Sequence, residues 1–292
     1  MTCKHFFLLV FILGTALTGQ AQDLKFGVRA GMNMNTMQGP METDDNGNEV
    51  ESYDWTSGFH VGFTVTWPVT ELMGVRGEFV FTQRGTDRFY DGPSYYIFQP
   101  DVEAVYATGN SKVNLSVTNS YLNLPITGYL RPVQWLEIFA GGNIGFLISS
   151  TAFGDISFEG KAANGAPVSL RHELDYRYFI DDPAQATYIN PVNTVTIGGE
   201  KIPYPHVGRA QYMFAEDRGS LYRVIELGGV AGLSVYLNRG LYLSARANIG
   251  FTDLTKTKAD VSWLKLDSNN DFITRNDKDT NLSLQASIGF HF

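Results

Sequence analysis

The last eleven residues of the chain alternate without a break. Leu282, Leu284, Ala286, Ile288, Phe290 and Phe292 are apolar, while Ser283, Gln285, Ser287, Gly289 and His291 between them are polar or small. A period of two places successive side chains on opposite faces of an extended backbone, so this segment reads as a strand with one apolar face. The same pattern recurs seven times upstream. It runs from Leu24 to Met32, Phe59 to Trp67, Gly74 to Arg84, Tyr121 to Leu130, Leu136 to Phe146, Ile225 to Val235 and Leu241 to Phe251. A composition of 30 Gly, 20 Phe, 15 Tyr and 4 Trp favours strands and turns over helices. After the first twenty residues no apolar stretch reaches the roughly 18 residues of a membrane helix, so a helical membrane bundle is excluded.

The first residues carry a separate signal. Lys4 lies in a short basic region, residues 6–17 form an apolar stretch, and Gly19-Gln20-Ala21 is a small-residue cleavage site, which reads as a secretory signal peptide over residues 1–21. Residues 22–292 are then the mature domain. Cys3, the one cysteine, leaves with the leader, and Gln22 rather than cysteine follows the cut, which argues against a lipid anchor. Losing Lys4 leaves 21 basic residues against 30 acidic ones, a net charge of -9 that makes nucleic acid a poor partner.

The connections alternate between short and long. Tight turns fall near 68–73, 131–134 and 237–240, and long polar segments near 34–57, 85–115, 149–221 and 253–280. A compact soluble domain rarely has loops so long. An outer-membrane barrel combines short periplasmic turns, long extracellular loops, strands of about 9–11 residues and an even strand count. The pattern therefore predicts an all-β, up-and-down antiparallel transmembrane barrel of eight strands in a Gram-negative type of outer membrane, with both termini on the periplasmic side.

With eight strands a barrel is just wide enough for side chains to fill it, so the polar face points inward and the apolar face meets lipid. A soluble sandwich or lipocalin-like barrel would reverse those faces, and the alternation alone permits it. Trp67 and Phe292 at the short-turn level, with Phe59, Phe81, Phe146 and Phe251 at the long-loop level, favour the membrane arrangement, because they look like interfacial girdles. Arg29, Arg76, Glu78, Arg84, Glu226 and Arg246 are then a lumen network, read as a structural salt-bridge plug in preference to a charged pore or proton relay. His60 and His291 face the same way.

Several segments resemble the small outer-membrane β-barrels of the porin and PorT-like kind. The matching pieces are Gly77-Glu78-Phe79-Val80-Phe81-Thr82-Gln83-Arg84-Gly85, the step Tyr121-Leu122-Asn123-Leu124-Pro125-Ile126, Phe139-Ala140-Gly141-Gly142-Asn143-Ile144-Gly145, and Ala245-Arg246-Ala247-Asn248-Ile249-Gly250-Phe251. The terminal Phe292 is similar to the aromatic that the barrel assembly machinery recognises, which implies that machinery and outer-membrane lipid as partners. The resemblance covers the strands and departs in residues 149–221, which are longer than that family usually carries.

No pattern for enzyme chemistry is complete. There is no Gly-x-Ser-x-Gly elbow and no phosphate loop, and His172-Glu173-Leu174-Asp175-Tyr176 has Tyr176 where a second zinc histidine would stand. Asp267 to Asp271 has calcium-loop spacing but Phe272 in place of the turn glycine, and residues 44–49 read likewise as a solvated acidic loop. No catalytic residue, metal or cofactor is expected. Within 149–221 the alternation of Val168, Leu170 and Leu174 with Ser169, Arg171 and Glu173, and a hairpin about Gly198-Gly199, predict ordered structure. It is either an extracellular β insertion or two more membrane strands, making ten; the charges favour the insertion. Tyr188, Tyr204 and Tyr212 are candidate loop contacts for an extracellular ligand or envelope partner. The expected function is a non-enzymatic binding or structural module of the cell envelope, with a small-solute channel and an outer-membrane enzyme as the alternatives.

Overall fold

The computed structural model describes residues 24–292, so the expected signal peptide lies outside the described residues. The chain forms β1 (Lys25–Gln38), β2 (Glu51–Asp54), β3 (Thr56–Pro68), β4 (Met73–Phe98), β5 (Val105–Val133), β6 (Leu136–Ala162), β7 (Pro167–Arg177) and β8 (Ala186–Thr187). It continues through β9 (Asn193–Ile197), β10 (Glu200–Tyr204), β11 (Val207–Gly208), β12 (Ile225–Tyr236), β13 (Leu241–Gly250), β14 (Val261–Leu266), β15 (Phe272–Thr274) and β16 (Thr280–His291).

Eight strands hydrogen-bond side by side in the order β12, β13, β16, β1, β3, β4, β5, β6. Strand β6 pairs back onto β12, from Ile225 opposite Phe146 to Val235 opposite Leu136, and the antiparallel ring closes. Closure leaves no open edge inside the lipid, where an unpaired backbone group would cost several kcal/mol. Phe63, Ile126, Leu243 and Ile288 point out of the ring and are exposed, whereas Arg29, Arg76, His60 and Asn123 point in and are buried. This is the reverse of a soluble barrel, and it overturns the lipocalin-like alternative. At the short-turn end the Phe292 amide donates to the Phe26 carbonyl at 2.9 Å, which brings the two ends of the described chain together.

Strands β4 and β5 run for 26 and 29 residues, far more than the roughly 9–11 that cross a membrane. The segment 85–115, expected as a polar loop, is therefore a correction: its backbone continues the hairpin in unbroken register from Arg84 opposite Asn119 to Phe98 opposite Val105. With β2, the far half of β6 and β7 it makes a sheet that stands above the ring and forms a head. Tyr96, Phe98, Leu115, Phe158, Leu170 and Leu174 fill its inner face as a hydrophobic core, each contributing about 1.5–3 kcal/mol by burial. Hairpin β9–β10 packs Val195, Ile197 and Ile202 against the same core. Its turn is Gly198-Gly199, at φ +62° and +89°, the double positive-φ turn that matches strand twist.

Strand β7 answers the strand-number question. It pairs with β6 only beyond Thr151, on the edge that β12 occupies lower down. The 149–221 segment thus adds no strand to the ring, and the ten-stranded alternative is corrected to eight.

Candidate functional site

The lumen is built by the inward half of each alternation, and β4 supplies one charged residue to each of three levels. Nearest the short turns, the Arg76 guanidinium lies 2.8 Å from the Glu137 carboxylate of β6, which also accepts from Arg131 at 2.9 Å and from the Tyr236 hydroxyl at 3.0 Å. In the middle, Glu78 lies 3.0 Å from Arg29 and takes two hydrogen bonds from Arg246. Above them Arg84 pairs with Glu226 at 2.7 Å, and Asn281 donates to both Glu226 and the Tyr121 hydroxyl, at 3.0 and 3.1 Å.

A charge buried alone costs several kcal/mol, and each of these carboxylates instead sits against one or two guanidinium groups. The arginines also lie over aromatic faces: Arg84 over Tyr121, Arg76 over Tyr129 and Arg246 over Phe139, at 5.0–5.4 Å. Two cross-strand glycines make room for this filling. A side chain at Gly145 would meet Asn123 Oδ1 at 2.7 Å, and one at Gly289 would run into the Tyr242 ring.

The structure brings Arg29, Arg76, Glu78, Arg84, Glu226 and Arg246 together in this column. Sequence reasoning missed Glu137, Arg131 and Tyr236. The signal for Glu137 was present, because it stands between the outward Leu136 and Ile138 as a charge on the inward face. His60 is fully engaged: Nδ1–H donates to Asn33 Oδ1 at 2.5 Å, which leaves Nε2 to accept from the Ser287 hydroxyl at 2.7 Å. His291 stacks on Tyr242 with ring centroids 4.9 Å apart.

The remaining sequence candidates separate on the head. His172 lies on β7, where Nδ1–H donates to the Glu173 carbonyl and Nε2 accepts from the Tyr96 hydroxyl, both at 2.9 Å. Asp267 and Asp44 cap tight turns, each accepting two backbone N–H bonds at 2.8–2.9 Å. Tyr188 is exposed, Tyr204 is half buried against the head core, and Tyr212 is only 4% exposed. Tyr212 is therefore corrected from a surface contact to an interior group, its ring tilted against that of Tyr96 with centroids 6.1 Å apart.

One acidic cluster had no local signal. Asp260, Asp277 and Asp279 bring carboxylate oxygens within 4.8 Å of one another. Burial, reinforced by Asp277, pushes the Asp260 carboxyl up to about 7. Arg275 lies 2.7 Å from Asp277, and Thr255 donates to Asp279 at 2.9 Å.

No curated protein sequence matches the chain. Among solved structures it is similar to the attachment invasion locus protein Ail of Yersinia pestis, at 11% identity over 93% of this chain and 100% of that one, with a TM-score of 0.35. It is also similar to Neisserial surface protein A, at 10% identity over 93% and 100% with a TM-score of 0.34, and to OprG of Pseudomonas aeruginosa, at 9% over 92% and 95% with 0.31. Scores of this size support no inference, and the strand number rests on the hydrogen-bonded ring itself. The sequence profile of a family described as the outer membrane protein beta-barrel domain matches residues 20–256, well over half of the chain. Eight closed strands, an outward apolar face and that match together make this chain a member of the outer membrane protein beta-barrel domain family.

Proposed function

We propose that this protein is a closed-lumen anchor, non-enzymatic itself, that holds an extracellular β-rich head for binding a ligand or an envelope partner. The observation that carries the reading is the Arg246–Glu78 pair, which spans opposite walls of the ring between two further levels of buried ion pairs. The paired side chains are at most 3% exposed, so they pack against one another and do not line a water-filled passage. The head supports the binding half: it has its own core, stands at the end opposite the short turns, and displays Tyr188 on its surface. Phe292, exposed at the ring's short-turn end, suits recognition by the barrel assembly machinery during insertion.

Planar-bilayer recording tests the closed lumen. Purified mature protein is expected to give a silent membrane, and steady single-channel steps would replace this reading with a small-solute channel.

A further inference from the structure

The negative charge of the mature chain is concentrated outside the membrane ring. The segments that build the head and its loops, 39–55, 85–119, 149–224 and 252–279, carry 25 acidic and 14 basic residues, a net charge of -11. The rest of the mature chain has 5 acidic and 7 basic residues, a net charge of +2. A surface potential draws in groups of opposite sign, and like charges brought together across an interface repel. Nucleic acid, sulfated glycan, anionic lipid headgroups and a second copy of the head are disfavoured on that ground, and a cationic partner is favoured.

Two stretches of the head hold no Lys or Arg at all. Residues 89–111 include Asp91, Asp101 and Glu103, and residues 178–200 include Asp181, Asp182 and Glu200. Asp101 and Glu103 lie in the turn at the tip of the long β4–β5 hairpin, beyond Phe98 opposite Val105. Asp91 and Asp155 are matched by Lys112 and Arg171 at 2.8 and 3.2 Å, whereas Asp101 and Glu103 are exposed and have no ion-pair partner among the described residues. The two stretches meet at this turn. The Tyr212 hydroxyl lies beside both the Tyr188 hydroxyl and the Gln99 backbone. Burial raises the Tyr188 hydroxyl above its ordinary range, and the nearby Asp101 carboxylate adds to the rise. Val102 is 83% exposed, Ile189 53% and Tyr188 44%, so open apolar surface stands next to the free carboxylates.

From these observations we infer that the face formed by Asp101, Val102, Glu103, Tyr188 and Ile189 is the docking site for a cationic amphipathic polypeptide segment. Its Lys or Arg side chains neutralise Asp101 and Glu103, and its apolar side chains cover Val102 and Ile189 around the Tyr188 ring, an anchor of the kind enriched at interfaces. The inference deepens the reading of the head as the binding part of the protein and rests on it.

Fluorescence anisotropy of a dye-labelled peptide of alternating Lys and Val tests the site, with the mature protein in nonionic detergent micelles and empty micelles as the blank. The peptide is expected to saturate at one equivalent and to weaken as salt is raised. It is expected to bind at least about 10-fold more tightly than alternating Lys–Ser or Glu–Val peptides of the same length. Asp101→Asn combined with Glu103→Gln is expected to weaken it by about 5- to 10-fold, and Tyr188→Ala by about 5- to 30-fold. Glu49→Gln combined with Asp271→Asn removes the same charge from two other turns and is expected to change binding by less than about 2-fold. No saturation above the blank, equal binding of either control peptide, or equal losses from the two pairs of substitutions would overturn the proposal. Channel steps from a preparation that still binds the peptide would overturn the closed lumen alone. A silent bilayer from one that does not bind it would overturn the docking site alone.

Discussion

Arg246 on β13 and Glu78 on β4 face each other from opposite walls of the eight-strand ring, joined by two parallel hydrogen bonds of 3.0 and 3.1 Å. Both side chains are at most 1% exposed. The pair ties the barrel across its diameter and occupies its middle.

Removing the shared carboxylate leaves two guanidinium groups buried and unpaired. Glu78→Ala is expected to cost about 3–5 kcal/mol, read as a lower urea midpoint for unfolding in detergent. Replacing Glu78, Arg29 and Arg246 together by leucine is expected to recover most of that loss. A single variant as stable as the parent would show that the pair carries no such weight.

Gly289 lies directly opposite Tyr242, whose ring covers it. A β-carbon there has no room, so Gly289→Val is expected to displace the ring and cost about 1–3 kcal/mol. Adding Tyr242→Ala should recover part of the cost, and strict additivity in that double-mutant cycle would refute the contact.

Phe63 is 65% exposed and sits midway along β3, on the face assigned to lipid. Phe63→Arg is expected to destabilise the barrel by about 2–4 kcal/mol in phospholipid vesicles. An unchanged unfolding curve in vesicles would remove the membrane assignment of that face.

The head should be most resistant to opening near pH 4.5, because two carboxylates are shifted in opposite directions. Burial pushes Glu51 up, but Arg88 and Arg275 outweigh it and hold the carboxyl at about 2, below its ordinary 4.5. Its stabilisation, about 3 kcal/mol, is complete above pH 4.5 and is lost as pH falls toward 2. Asp260 is raised from 3.8 to about 7, so its contribution is complete below 3.8 and is lost as pH rises through 7. Hydrogen exchange of head amides across pH 3–8 should show both limbs. Glu51→Gln should flatten the acid limb and Asp260→Asn the alkaline one; a profile unaltered by both substitutions would contradict the assignment.

The strands of the ring were legible because membrane and lumen impose opposite solvents on alternate residues, a constraint visible within any ten residues. Arg29, Arg76 and Arg246 could be assigned to the interior by that phase alone. Their partners could not, since Glu137 meets Arg76 and Arg131 only once distant strands curve into one ring. The hairpin turn at Gly198-Gly199 was legible for a local reason, its need for two positive φ angles.

The amino-acid sequence by itself determined a β-barrel, its two faces and its short and long ends, because each of these is written in nearest-neighbour periodicity. Tertiary structure alone decided that 85–115 continues as strands, that Tyr212 is interior, and that Asp260 joins Asp277 and Asp279. Those outcomes depend on surfaces contributed by residues far apart in the chain: β2, β7 and the 209–222 segment must arrive before the head has an inside to bury anything in.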